Sequence, residues 1–168
     1  MHKIGDNLLY GSNGVMCVVD IRDEQIGDTS RSYYVLRSAF GKSESLVFVP
    51  TDNDRLASLM HPILTSGEAE ALLSLPIDTS VIEWNDNSRA RTEYFKRIIE
   101  SGDRARILAM IRGIHESGLR REMQGKKNFL SDETVRQKAE KLLASELSIV
   151  LALSEDEALA LIKNKVEN

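Results

Sequence analysis

The pattern of apolar residues changes once along this chain, near Pro50, and that change constrains the fold more than any other feature. Before it, short apolar stretches at residues 7–10, 14–21, 32–37 and 45–49 are separated by turn signals. The signals are Gly11-Ser12-Asn13-Gly14, Gly27-Asp28 and Gly41-Lys42. Four or five short strands within about 50 residues predict a small, highly curved sheet or barrel of the Tudor or SH3-like kind. Such modules bind partners more often than they catalyse, and an exposed edge strand is a template for a partner's strand or for a second copy of the chain.

After Pro50 the period becomes helical. Asp52-Asn53-Asp54 can cap a short turn through Leu56 and Leu59, which His61-Pro62 interrupts. Residues 66–75 read as a short helix with Glu68 and Glu70 in its first turn, and Pro76 ends it. Ile107, Leu108, Ile111 and Ile114 lie at helical spacing. Residues 118–128 (GLRREMQGKKN) read either as more of that helix or as a loop. Ser131-Asp132-Glu133 opens a strong apolar-faced helix, and Ser154 with Glu157 forms a capping box for a last one. The expected fold is α+β, with a β domain over residues 1–55 and an all-α domain over 56–168.

The net charge of −4 is unevenly distributed. Residues 1–83 hold 6 Lys/Arg and 12 Asp/Glu, residues 84–127 hold 11 and 6, and residues 128–168 hold 5 and 8. A basic block inside an acidic chain focuses positive potential locally and suits a polyanion partner, although a solvated, internally balanced helix face has the same composition. No run is long enough to cross a membrane, the N-terminus lacks signal-peptide character, and Cys17 is the single cysteine, so a reducing cytoplasm is expected. There is no glycine-rich phosphate loop, no HExxH and no paired-cysteine spacing. The three histidines are far apart. Neither an enzyme nor a cofactor or metal site is expected.

The basic block begins at residues 83–103, EWNDNSRARTEYFKRIIESGD, which contain the only tryptophan, Trp84. Asn85-Asp86-Asn87 are N-cap candidates, and the helix behind them carries Arg89, Arg91, Lys96 and Arg97 on its polar side. Phe95, Ile98 and Ile99 lie on its apolar side. Trp84 at the entrance can plug the core beneath this helix or stand out as a wedge for a nucleic-acid groove. Few aromatics interleave with the basic residues, which argues against a single-strand RNA binder.

The segments IGDNLLYGSNGV, VVDI, YYVL and LVFVP, followed by WNDNSRARTEYFKRIIESGDR, GKKNFLSDE and AEKLLASELSIVL, resemble in order the CarD/CdnL family. The later segments look like its Firmicutes-type branch. The resemblance implies a transcription regulator whose N-terminal domain, shared with the transcription-repair coupling factor, docks on the RNA polymerase β subunit by strand pairing. It also implies a helical domain that contacts promoter DNA, with a tryptophan wedged into the minor groove to stabilise the open complex. Carried over, Trp84 is the wedge, with Asn85 beside it. Arg89 and Arg91 are the phosphate candidates, and Lys96 and Arg97 lie further along. The polymerase contact falls on Glu24, Gln25 and Ile26, paired with Val47, Phe48 and Val49. Glu24 and Phe48 stand near positions where other members have arginine, and Gly11 stands where many have proline. A protein–protein adaptor that does not touch DNA is the alternative.

Overall fold

In a computed structural model, the structure describes residues 1–41 and 44–168, and divides into two compact units, Met1–Ile63 and Leu64–Asn168. The first is an antiparallel sheet of five strands: β1 (Asn7–Tyr10), β2 (Val15–Ile26), β3 (Thr29–Ser38), β4 (Leu46–Pro50) and β5 (Met60–Pro62). Their order across the sheet is β4-β3-β2-β1-β5, so β4 and β5 are the edges. The turn expected at Gly41-Lys42 extends outside the described residues.

Alternation along the strands sends Leu8, Tyr10, Met16, Val18, Tyr34, Leu36 and Val49 into one buried cluster, which Met60 of β5 completes. A short helix, α1 (Asp54–Ala57), is capped by the Asn53 side chain, and Leu56 and Leu59 lie against the same cluster. The sheet unit therefore runs to Ile63 rather than ending at residue 55. Met60–Pro62 pairs with β1 from Leu8 to Tyr10, and Gly11 N–H donates to Leu59 O. A three-residue strand is too short to show an alternating pattern, which is why the sequence hides it.

β2 and β3 are longer than their apolar stretches, continuing through the polar residues up to the turn at Gly27-Asp28. Gly27 has φ +64, a conformation that side chains rarely adopt and that a two-residue hairpin demands. Across this outer ribbon Ser32 Oγ donates to Asp23, and along β2 itself Arg22 bridges Glu24 at 3.0 Å. The pairing register shifts between Val18 and Asp20, the mark of a β-bulge. Cys17, on β2, is half-buried.

The second unit contains α2 (Ser66–Ser74), a 3-10 turn at Thr79–Val81, α3 (Ser88–Glu100), α4 (Arg104–Met123), α5 (Leu130–Val150) and α6 (Glu155–Glu167). The caps at Asn87, Asp103, and Ser154 with Glu157 follow the sequence, whereas α2 is capped by Thr65 with Glu68, one residue before the Ser66 that the sequence suggests. Residues 118–128 resolve into helix up to Met123 and loop beyond. Gly118 lets that loop fold back, because a Cβ there would stand 3.0 Å from Asn128 Nδ2. The core combines Phe95, Ile98 and Ile99 of α3 with Ile107, Met110 and Ile111 of α4, Leu143 and Leu147 of α5, and Ile162 of α6. α5 starts at Leu130 behind Phe129, which provides no side-chain cap. Asp132, expected in the capping cluster, is instead buried in an ion pair.

Candidate nucleic-acid and protein interfaces

Three successive side-chain-to-backbone hydrogen bonds shape the approach to α3. Asp78 Oδ1 accepts from Ser80 N–H at 3.0 Å and from its hydroxyl at 2.6 Å, and these bonds hold the Asp78 carboxyl below its ordinary pKa. Asn85 Oδ1 accepts from Asn87 N–H at 2.8 Å, and Asn87 Oδ1 caps Ala90 N–H at 2.9 Å. Tyr94 Oη accepts from Glu83 N–H at 3.3 Å. Trp84 thus sits in a turn braced on both sides.

Trp84 is half-buried, between the two roles open to it from sequence. Its ring meets buried Phe95 edge-on at 5.9 Å between centroids, and the Arg91 guanidinium lies over it at 4.7 Å.

Arg91, a phosphate candidate by sequence, is 0 % exposed. Its Nε and Nη2 donate to the Asp132 carboxylate at 2.9–3.2 Å, and Nη1 donates to Asn85 O at 2.6 Å. The same guanidinium lies over Phe129 at 4.9 Å, and Phe129 carries Arg121 at 3.9 Å. Arg91 is therefore a structural cation, buried out of reach of a phosphate. The sequence reading put Arg91 on the polar side, whereas it lies on the buried face of α3, one turn before Phe95, where Asp132 on α5, 41 residues away, takes its charge. Ser88 and Ser131 hydroxyls, 3.1 Å apart, join the same two helices.

The remaining basic candidates stay outside. Arg89 and Arg97 are exposed, and no side-chain partner is recorded for either among the described residues. Lys96 is exposed and pairs with Glu93 at 3.2 Å, a contact worth little in water. The solvent side of α3 thus mixes Arg89, Lys96 and Arg97 with Glu93 and Glu100. Asn85 is exposed, with its side chain committed to the turn.

In the sheet unit, Glu24, Gln25 and Ile26 form the end of β2 and pair with Arg31, Ser30 and Thr29 of β3. They do not pair with Val47, Phe48 and Val49, which face Leu36, Val35 and Tyr34 of β3. β3 lies between the two groups, so the hairpin tip and the edge strand are separate features. Val49 is fully buried in the core and offers a partner only backbone. Phe48 is 41 % exposed, edge-on to Tyr33 at 6.3 Å, with the Arg22 guanidinium 5.1 Å from its ring centre. Arg22 and Tyr33 join this patch although neither stood out in sequence, since only the strand register brings them to Phe48. Asp132 and Phe129 were missed because only the packing of α5 against α3 brings them to Arg91.

Among the described residues no cluster of His, Cys, Asp and Glu could hold a metal ion, and no helix is long and apolar enough to cross a membrane. A comparison with curated proteins finds no match for the chain. A family model does match, and its span ends within a residue of the division between the units. Residues 2–64 match the family model of the CarD-like/TRCF RID domain, so the sheet unit is similar to that domain.

Proposed function

We propose that this protein is a transcription regulator that docks on the RNA polymerase β subunit through a Tudor-like sheet and contacts promoter DNA through its helical unit, stabilising the open complex. The family match over residues 2–64 carries the docking half. It is supported by β4, an edge strand whose outer side has no strand partner and whose Phe48 is exposed. Strand addition at such an edge takes affinity from the backbone and specificity from alternate side chains. The DNA half rests on Trp84, half-exposed at the head of α3, and on Arg89 and Arg97 in solvent behind it. An apolar wedge exploits a distorted minor groove, while the arginines supply salt-dependent, sequence-independent affinity for phosphate.

The test is open-complex lifetime on a bacterial promoter with cognate polymerase, with wild type, with Trp84→Ala and with no added protein. The expected result is a longer lifetime with wild type and little or none of that gain with a folded Trp84→Ala variant. Lengthening by both proteins alike would remove the wedge.

The second reading is an adaptor that binds polymerase and a further protein without touching DNA. The contact of Trp84 with Phe95 and Arg91 and the Lys96–Glu93 pair favour it. Polymerase binding with no change in open-complex lifetime is the outcome it requires.

A further inference from the structure

We infer that Arg91 is a positioning residue for Trp84. Its buried fork fixes the indole's orientation before any DNA arrives and covers one ring face, so that the ring is offered by its uncovered side alone. This rests on Trp84 being the DNA-facing group. An exposed tryptophan normally samples several rotamers, and ordering it on binding costs free energy. Here that freedom is already removed. Arg91 Nη1 donates to the carbonyl of Asn85, the residue next to Trp84, at 2.6 Å, while the guanidinium carbon lies over the indole, 4.7 Å from its centre. The backbone and the ring of the wedge are therefore referred to one cation.

That cation is itself immobile. It is 0 % exposed, forked on Asp132, which is 4 % exposed, and it contacts Phe129 on a second aromatic ring. Lysine could keep the charge but not the fork, because an ammonium cannot bind a carboxylate in two parallel bonds while lying flat over a ring. A ring with one face covered cannot be sandwiched between two base pairs. It can only press from one side, as a wedge.

Two variants and one measurement on the native protein test this. Arg91→Lys retains the charge. Arg91→Leu with Asp132→Leu removes the buried pair together, a replacement that buried ion pairs commonly tolerate without unfolding. Trp84 is the only tryptophan, so its fluorescence reports on it alone. In the folded variants acrylamide quenching of Trp84 is expected to rise roughly twofold or more as the ring loses its cation and samples other rotamers. The gain in open-complex lifetime should fall alongside it. In the wild type, time-resolved anisotropy should show the indole tumbling with the whole protein. A large sub-nanosecond component in the wild type overturns the proposal, as does unchanged quenching in a folded variant. The quenching needs no DNA, so positioning that holds in a protein without effect on open complexes would overturn the DNA reading and the wedge with it, and leave only the anchoring of the indole by Arg91.

Discussion

At the scale of single residues, Arg91 and Asp132 dominate. Both are buried: the Asp132 carboxylate accepts from Arg91, and Arg91 also donates to the backbone carbonyl of Asn85. Removing one partner of such a pair strands a charge in the interior, which costs about 3–5 kcal/mol. Arg91→Ala is therefore expected to lose a stability of that size in urea unfolding, against less than about 0.5 kcal/mol for the exposed Arg89→Ala. Equal midpoints for the two variants would mean that Arg91 is not buried as described. Glu146 shows the same logic with a different outcome: it is fully buried, accepts from Arg104 Nη2 at 2.8 Å, and accepts from Leu64 N–H at 2.9 Å. Arg91 read as a surface residue because of its charge, although its spacing to Phe95, Ile98 and Ile99 puts it on the buried face of α3.

At the scale of elements, what the sequence revealed depended on how locally each element is specified. Helices α3, α4 and α6 carry their own caps and periodicity, and both were readable in place. The outer half of the β2–β3 ribbon was not, since its residues are polar on both faces and are held by pairing across the hairpin. β5 was missed for a related reason: its pairing with β1 is its only strand-like property. That gives a prediction about truncation. A fragment of residues 1–63 keeps β5 and Met60, whereas 1–55 opens the edge of β1 and removes Met60 from the core. The longer fragment should show a cooperative thermal transition by circular dichroism. The shorter should melt lower or not cooperatively, and identical melting would show that β5 contributes nothing.

At the scale of the whole molecule, the charge map and the family resemblance pointed to a two-part protein; the structure divides after Ile63, and the family model matches residues 2–64. The DNA-facing set is harder to read from sequence, because the excess of positive charge in residues 84–127 includes cations spent inside the fold: Arg91 on Asp132, Arg104 on Glu146 and Arg121 on Phe129. Carboxylates give the molecule its acid response. Glu133 is held below its ordinary pKa, first by its hydrogen bond from Arg136, so its contribution is present above the unfolded value and is lost as pH falls through the folded one. Glu140 is pushed up by burial, so its effect runs the other way: it favours folding most at low pH and fades as pH rises through its folded value. With Glu68 and Asp78 also depressed, the net expectation is a falling melting temperature between about pH 5 and 3. Glu133→Gln should start lower and lose less over that interval, and an unchanged slope would exclude Glu133 as a contributor.

The Arg91–Asp132 pair also has a consequence for descent. Two positions 41 residues apart are bound into one unit of inheritance. A lineage that altered either alone would pass through a poorly folded ancestor, so the pair is expected to be kept whole or exchanged whole. Where it has been exchanged for an apolar pair, the ring of the tryptophan ahead of it should have to be held by some other neighbour, because the cation that held it is gone.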